Sequence, residues 1–553
     1  MLPVYCIIIL SYTTVAQVLP IPNAVLNYTQ ILFEYNQVPK ADKYAVIITN
    51  TKTKQKHAPI YNTSLAVIYS KGIVYNTSYQ WYVIAYNNNK VIHTSTTYAF
   101  STLGNNLTHT SSYTYKVTVL DTSKLTSTSI VLLDNVGVAI NKQGKVVWYL
   151  PRNTDAVLYK DSSRRSLRVS PTGSFTYLDQ NNCYDKNIQG NTLWQAPNTG
   201  AVSGDSVEHY HHDFRKLSNG TYLCTGYKYV LEPNYYKPTA KWKMRYNTLI
   251  QYDSTGKIIW SWNEKDYLTD AILYENGDAS MAEYNGSHLN GFDVDEAKKQ
   301  IIISLRNTNR ILMIDYTTKE VQYELGRYDS TSHTNYAGAY TLSNQHGPCY
   351  TQDGNILVYD NNYGKLNEAR KASNPIIRLL APPSTTLPDY QVWAYECKSD
   401  SFAMGQQGKE GYAMPTALGN SYLVCQGSTH RVFEVNQNKK ITWEAFCYNY
   451  NHTLKQWLPY SNYRAYSASS LYPLHFTLQY NNYVQRQVII NNEGTLTQSY
   501  YTEEYDNNGT LLIIKQYTIP PRSYAQHIPT YGTTTKVSVY PTLNRRLVRT
   551  MQL

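Results

Sequence analysis

One motif recurs along this chain: a strand, a tight polar turn, and a second strand that ends in an aromatic side chain. It runs from Val138 through Asn141, Gln143 and Gly144 to Trp148, and returns from Ile250 to Trp260 and from Val432 to Trp443. Weaker copies end at Trp194 and Tyr323, and a copy with a longer loop ends at Trp393. Asn, Asp and Gly supply positive φ or side-chain turn bonds, while the alternating apolar residues bury one face of each hairpin. Each hairpin follows another strand pair, so six copies imply six units of about four short strands. A plain β-sandwich would alternate strands in the same way, but would not repeat an aromatic-ended hairpin six times. The expected fold class is all-β, with a six-bladed β-propeller over residues 110–470. The repeated aromatics are expected to pack one blade on the next.

Composition agrees with strands. Tyr supplies 56 of 553 residues, about a tenth of the chain and well above ordinary usage. Before the propeller, Ala45–Thr49, Ser64–Tyr69 and Tyr79–Tyr86 read as strands at sandwich spacing, with Trp81 as a buried aromatic. Residues 20–105 are therefore expected to form an N-terminal, fibronectin-like β-sandwich. Residues 475–553 read as further strands that close the propeller or pack beneath it, and their role is open.

Several function classes are weakened by what the sequence lacks. The net charge of +11 would suit a polyanion, yet Lys and Arg are scattered and no nucleic-acid motif is present. No nucleic-acid partner is expected. Val4–Leu10 followed by Thr13–Ala16 reads as a secretory signal peptide over residues 1–16, which predicts export to a periplasm or the exterior. No later stretch is apolar for long enough to span a membrane. Removing the leader would remove Cys6 and leave Cys183, Cys224, Cys349, Cys397, Cys425 and Cys447, an even number that fits disulfides in an oxidising compartment.

Three histidines fall at matching places in successive units. They lie in Tyr210-His211-His212-Asp213-Phe214, in Ser287-His288-Leu289-Asn290 and in Asn344-Gln345-His346-Gly347. Innermost propeller strands line a central channel, so repeat symmetry would bring these imidazoles to one locus. Of the pair His211 and His212, the alignment with His346 favours His212 as the one facing the channel. A lone histidine at a strand start is usually structural, and Arg306 alone would more often serve an ion pair. Together they read as a site. His209 and His211 alternate as zinc ligands can, but zinc also prefers Cys or carboxylate partners and a water-generating geometry, and no metal is expected. No glycine-rich phosphate loop is present, and no cofactor is expected.

These segments, with Ile303-Ser304-Leu305-Arg306, resemble the PAPS-independent arylsulfate sulfotransferases over roughly residues 20–470. The resemblance implies a β-sandwich followed by a six-bladed propeller with its site in the channel. It implies that His346 is the nucleophile carrying the sulfuryl group, and that His212, His288, Asn290 and Arg306 bind and polarise that group; His211 is a further substrate-binding candidate. Donor and acceptor would be an aryl sulfate and a phenol, and the chain could pair as a homodimer. The residue types suit the reaction. Neutral imidazole attacks sulfur near pH 7, a guanidinium presents a planar donor fork to sulfonyl oxygens, and a second imidazole can move the phenol's proton. Two other readings stay open: an exported, non-catalytic propeller that binds carbohydrate or protein, and a sulfatase using water as acceptor.

Overall fold

The structure is a computed structural model. It describes residues 18–103, 113–124, 128–151, 164–179, 182–275, 277–326, 342–362, 374–382, 391–398, 410–416, 421–427, 429–481, 485–494, 496–542 and 547–553. The expected signal peptide lies outside the described residues. The protein is all-β, built of many small, almost wholly antiparallel sheets. It divides into two compact units, residues 105–471 and a second unit in which residues 1–104 join residues 472–553.

Among the described residues, the unit of residues 105–471 holds six sheets of at least four strands each. Four of them run in simple sequence order, as in Leu289–Asp295, Gln300–Leu305, Arg310–Asp315 and Val321–Leu325. The first is different. Val146–Tyr149, Val138–Asn141 and Ile130–Leu133 are completed by Ala465–Ala468, a strand from the far end of the unit. Sequence-distant pairing of this kind ties the two ends of the unit together in one ladder. The sixth sheet, which starts at Tyr412–Pro415, takes Tyr113–Leu120 as an additional partner on Ile441–Asn451.

The aromatic residues that end the hairpins tie each sheet to the next. Trp148 stacks on Phe175 with centroids 4.4 Å apart and donates from Nε1 to the Ile188 carbonyl at 2.7 Å. Trp194 stacks on Tyr222 at 3.8 Å. Trp260 donates to the Tyr316 carbonyl at 3.0 Å and Trp393 to that of Gln437 at 2.8 Å. Tyr323 packs against the cluster that includes Ile356 and Val358. The last tie returns to the first sheet, where Trp443 donates to the Lys142 carbonyl at 2.8 Å. A buried indole needs a partner for its N–H, and the turn carbonyls of the next hairpin supply it.

In the other unit, Ser78–Asn87 buries Trp81 against Phe33 of Ile31–Glu34, with ring centroids 5.0 Å apart. Residues 472–553 build an apolar cluster of their own around Phe476, Val488, Tyr500 and Val537, and polar contacts tie them to residues 18–103. Arg549 and His475 both pair with the buried Glu34, the latter at 3.0 Å, and Ser64 Oγ donates to Glu493 at 2.9 Å. The even cysteine count does not translate into disulfides among the described residues. Cys183, Cys224, Cys349, Cys397, Cys425 and Cys447 are all free and buried. They behave as small core apolar residues, and burial raises the thiol pKa of Cys397 and Cys447 to about 12.

Candidate active site

Each histidine segment leads into the first strand of its sheet. His212 precedes Phe214–Lys216, His288 precedes Leu289–Asp295, and His346 opens His346–Tyr350. The backbone bends sharply at each entry. φ is +56° at His212 and +53° at His288, and in the third segment Asn344 takes +52°. Histidine and asparagine tolerate this left-handed region better than most side chains, but it still costs about 1–3 kcal/mol.

The three imidazoles converge. The His212 and His288 rings lie edge to face with centroids 5.0 Å apart. His212 and His346 share one neighbour, the Tyr463 ring, at 6.1 and 6.3 Å. Arg306 follows the strand paired with that of His288, and its backbone N–H donates to the His288 carbonyl at 3.1 Å. Its guanidinium reaches Asn307 Oδ1 at 3.0 Å.

Hydrogen bonds assign the tautomers. His346 Nδ1 lies 3.0 Å from the Asn344 carbonyl, which can only accept, so Nδ1 carries the proton and Nε2 the lone pair. Asn361 Nδ2 is 2.9 Å from the same nitrogen but spends its two hydrogens on the Asn344 and Glu410 carbonyls, at 2.8 and 3.2 Å, so it leaves Nδ1 to donate. His211 Nε2 donates to the Gly226 carbonyl at 3.0 Å, which leaves its Nδ1 to accept from His212 Nδ1 at 2.6 Å. His212 therefore also bears its lone pair on Nε2. The Asn285 amide nitrogen sits 3.1 Å from His288 Nδ1, so that ring accepts at Nδ1 and carries its proton on Nε2. Two rings present acceptors and one a donor.

All of these imidazoles are held neutral. Burial is the largest cause, and neighbouring cations add to it. His288 is pushed down to about 3 by burial, then by Arg306, Arg245 and Arg165. His346 lies well below the ordinary range through burial and Arg306, although its bond to Asn344 opposes the shift. His212 is lowered by burial, then by His211 and Arg165, and His211 by burial and Arg245.

Asn290 and His211 sit differently from the other four candidates. Asn290 is fully buried, and its Nδ2 donates to the Gln345 carbonyl at 2.8 Å, fixing the residue next to His346. His211 spends both ring nitrogens on Gly226 and His212. Beneath them lies an ion triad that the sequence pattern does not single out. Asp213 accepts from Arg168 at 2.8 Å and from Ser166 Oγ at 2.6 Å, and its other oxygen faces Arg464 at 2.7 Å. Arg464 in turn donates to the Asn290 carbonyl at 2.6 Å. Asp213 is visible in the sequence as the end of His-His-Asp. Tyr463 and Arg464 arrive only through the sequence-distant strand Ala465–Ala468, which no local pattern forecasts. Among the described residues no group of His, Cys, Asp and Glu is arranged to hold a metal ion. His209 bonds Asp205 at 2.5 Å and stacks on Tyr227, away from any such role.

Residues 116–381, which include every one of these candidates, match the family model described as Arylsulfotransferase (ASST). This stretch, just under half of the chain, is similar to the arylsulfotransferase family. No curated protein matches it. Solved structures similar to the chain include a protein of unknown function from Bacteroides caccae, at 11% identity and a TM-score of 0.35, covering 57% of this chain and 93% of that one. A periplasmic gluconolactonase from Pseudomonas aeruginosa gives 9% identity and a TM-score of 0.29, covering 75% and 99%. Likenesses this weak assign neither chemistry nor architecture, and the match of residues 116–381 to the arylsulfotransferase family carries the comparison alone.

Proposed function

We propose that this chain moves a sulfuryl group from an aryl sulfate to a phenol by a ping-pong route through a sulfohistidine at His346, without a nucleotide sulfate donor. The observation that carries this is His346 itself: a buried, neutral imidazole with Nδ1 tied to the Asn344 carbonyl and its lone pair left on Nε2, beside His212, His288 and Arg306. Nε2 attacks sulfur, the S–O bond to the aryl oxygen breaks, and its electron pair leaves with the phenolate. The ring becomes an N-sulfonated imidazolium, and the Asn344 carbonyl on Nδ1–H favours that positive charge. Arg306 and the His288 Nε2–H are suited to the sulfonyl oxygens and the departing phenolate. In the second half-reaction the acceptor phenol attacks sulfur, its proton passes to His212 Nε2, and the S–N bond returns its electrons to His346.

In this reading the six sheets are the blades of a propeller. The chain of aromatic ties that ends with Trp443 on Lys142, and the first sheet completed by Ala465–Ala468, support it. The edge-on packing of Phe33 on Trp81, from strands of two different sheets, supports a sandwich in the second unit. Export rests on the sequence pattern of the leader alone.

The test is mass spectrometry after exposure to 4-nitrophenyl sulfate without acceptor, looking for one added sulfuryl group on His346. His346→Ala should lose both the adduct and the transfer to phenol. Arg306→Gln should slow transfer by about a hundred- to a thousandfold, or about 2.7–4 kcal/mol. Phenol release that continues beyond one equivalent per enzyme without acceptor would point to a sulfatase, and no release at all to a binding protein.

A further inference from the structure

Two arginines that this chemistry does not use stand against the histidine cluster. Arg165, in Arg164–Val169, lays its guanidinium 4.5 Å from the centroid of Tyr463, the ring shared by His212 and His346. Arg245, in Lys237–Tyr252, lies 3.7 Å from the centroid of Tyr227, whose ring is 5.4 Å from that of His211. Other interior arginines meet carboxylates: Arg168 and Arg378 at 2.8 Å, Arg464 at 2.7 Å. Arg165 and Arg245 form no such direct pair, although Glu264 and Glu283 lie near enough to act on the charge of Arg245, and Arg165 on that of Asp134. Among the described residues neither makes a hydrogen bond or an ion pair, and Arg245 Nε is buried without a partner.

A guanidinium stacked on a phenol ring keeps its edge donors unused, because cation–π attraction engages the face and not the N–H groups. Both charges nevertheless reach the site. Arg165 depresses the pKa of His211, His212 and His288, and Arg245 that of His211 and His288. The histidines are neutral, so they offset none of this charge. A sulfate monoester brings one negative charge, for which Arg306 is already at hand. Two further guanidiniums, half-buried and held in place by tyrosines, are more cation than one sulfuryl group needs.

We propose that Arg165 and Arg245 recognise a second anionic group on the aryl substrate, so that the enzyme prefers phenols and aryl sulfates that also carry a carboxylate or a further sulfate. This rests on the sulfotransferase reading. The anion could enter on the donor or on the acceptor, and the experiment separates them. With phenol as fixed acceptor, kcat/KM is measured for 4-(carboxymethyl)phenyl sulfate and for its uncharged amide, whose leaving groups are nearly equal. With 4-nitrophenyl sulfate as fixed donor, 4-hydroxyphenylacetate is compared with 4-hydroxyphenylacetamide. Preference for the carboxylate by about tenfold or more in at least one arm is expected, the scale of one charge-assisted hydrogen bond. Arg165→Met and Arg245→Met should each shrink that ratio, and Arg245→Lys should retain part of it. The ratio is internal to each variant, so loss of total activity does not obscure it, and the wild-type ratio stands without any variant. Carboxylate and amide turned over within about twofold of each other in both arms would overturn the proposal while leaving sulfotransfer intact. Absence of transfer from every donor would instead sink the sulfotransferase reading on which it rests.

Discussion

Replacing Asp213 by Asn should be among the most damaging isosteric changes available to this protein. The carboxylate is fully buried, and so is Arg464, with the Arg168 guanidinium close beside them. In the wild type one negative charge stands between two guanidiniums at 2.7 and 2.8 Å, with Ser166 filling a further lone pair. Asn keeps the shape but removes the charge, and its amide nitrogen would face a donor. Breaking a buried pair from one side leaves an uncompensated charge and costs about 3–5 kcal/mol, about two to four decades in the unfolding constant. The damage should reach the site, because Arg464 holds the Asn290 carbonyl and Asn290 holds the Gln345 carbonyl next to His346. Denaturant unfolding followed by tryptophan fluorescence measures the first effect, and aryl sulfate turnover the second. The acid limb adds a separate signature. Asp213 is held far below the usual carboxylate range by Arg464, Arg168 and Arg215 against its own desolvation. Its folded pKa is depressed, so its contribution is complete above the unfolded value near 4 and fades as pH falls below that. D213N should lose this component. A variant within about 1 kcal/mol of wild type would refute the account of the triad as the floor of the site.

Four further outcomes follow from the same geometry. His212, His288 and His346 have depressed folded pKa values, so stability is complete above the unfolded value near 6.5 and falls as pH drops from there towards about 3; urea midpoints between pH 7 and 4.5 should show it. For the same reason, turnover should show no loss centred near pH 6.5, the ordinary imidazole value, and an acid limb there in kcat/KM would contradict the neutral cluster. Trp443→Ala opens a cavity and strands the Lys142 carbonyl, and should cost about 3–5 kcal/mol by thermal or chemical unfolding. The six described cysteines should resist a thiol reagent in the native protein and all react in denaturant, with or without prior reduction.

Local pattern carried the parts of this protein that depend on neighbours in sequence. The hairpins around Gly144 and Gly256 are legible because a turn with positive φ admits few residues, and both glycines do take it, at +78° and +88°. The tryptophans at their ends are legible because a recurring aromatic at a strand end needs a recurring surface to bury it. His212, His288 and His346 were legible as a set because a repeat carries equivalent residues to equivalent places. What stayed hidden depends on distant pairing. Nothing near Tyr463 or Arg464 announces that Ala465–Ala468 completes the sheet begun at Ile130, or that Tyr463 stands between two of the histidines. The cysteine count misled for a related reason: parity says nothing about geometry, and these thiols sit in core positions where a small apolar side chain packs.

The roles of His211 and Asn290 show why residue type alone under-determines a site. Both were candidates for touching substrate, and both are chemically able to. In the structure each spends a polar atom on a neighbour in the histidine cluster: His211 accepts the Nδ1 proton of His212, and Asn290 Nδ2 donates to the carbonyl next to His346, while Asn290 Oδ1 is buried without a partner. Neutral imidazole is a useful base or nucleophile only if its lone pair is on the nitrogen that meets the substrate, and a buried ring cannot rely on water to choose. His212 and His346 solve this with different partners, a second imidazole in one case and a backbone carbonyl in the other. The left-handed turns at His212, His288 and Asn344 belong to the same arrangement. A glycine would sit there with less strain, and imidazoles are nonetheless kept at two of the three places. Because the buried rings are neutral, they offset none of the charge of Arg165 and Arg245, and an anion seated among them would add to what the nearby carboxylates supply.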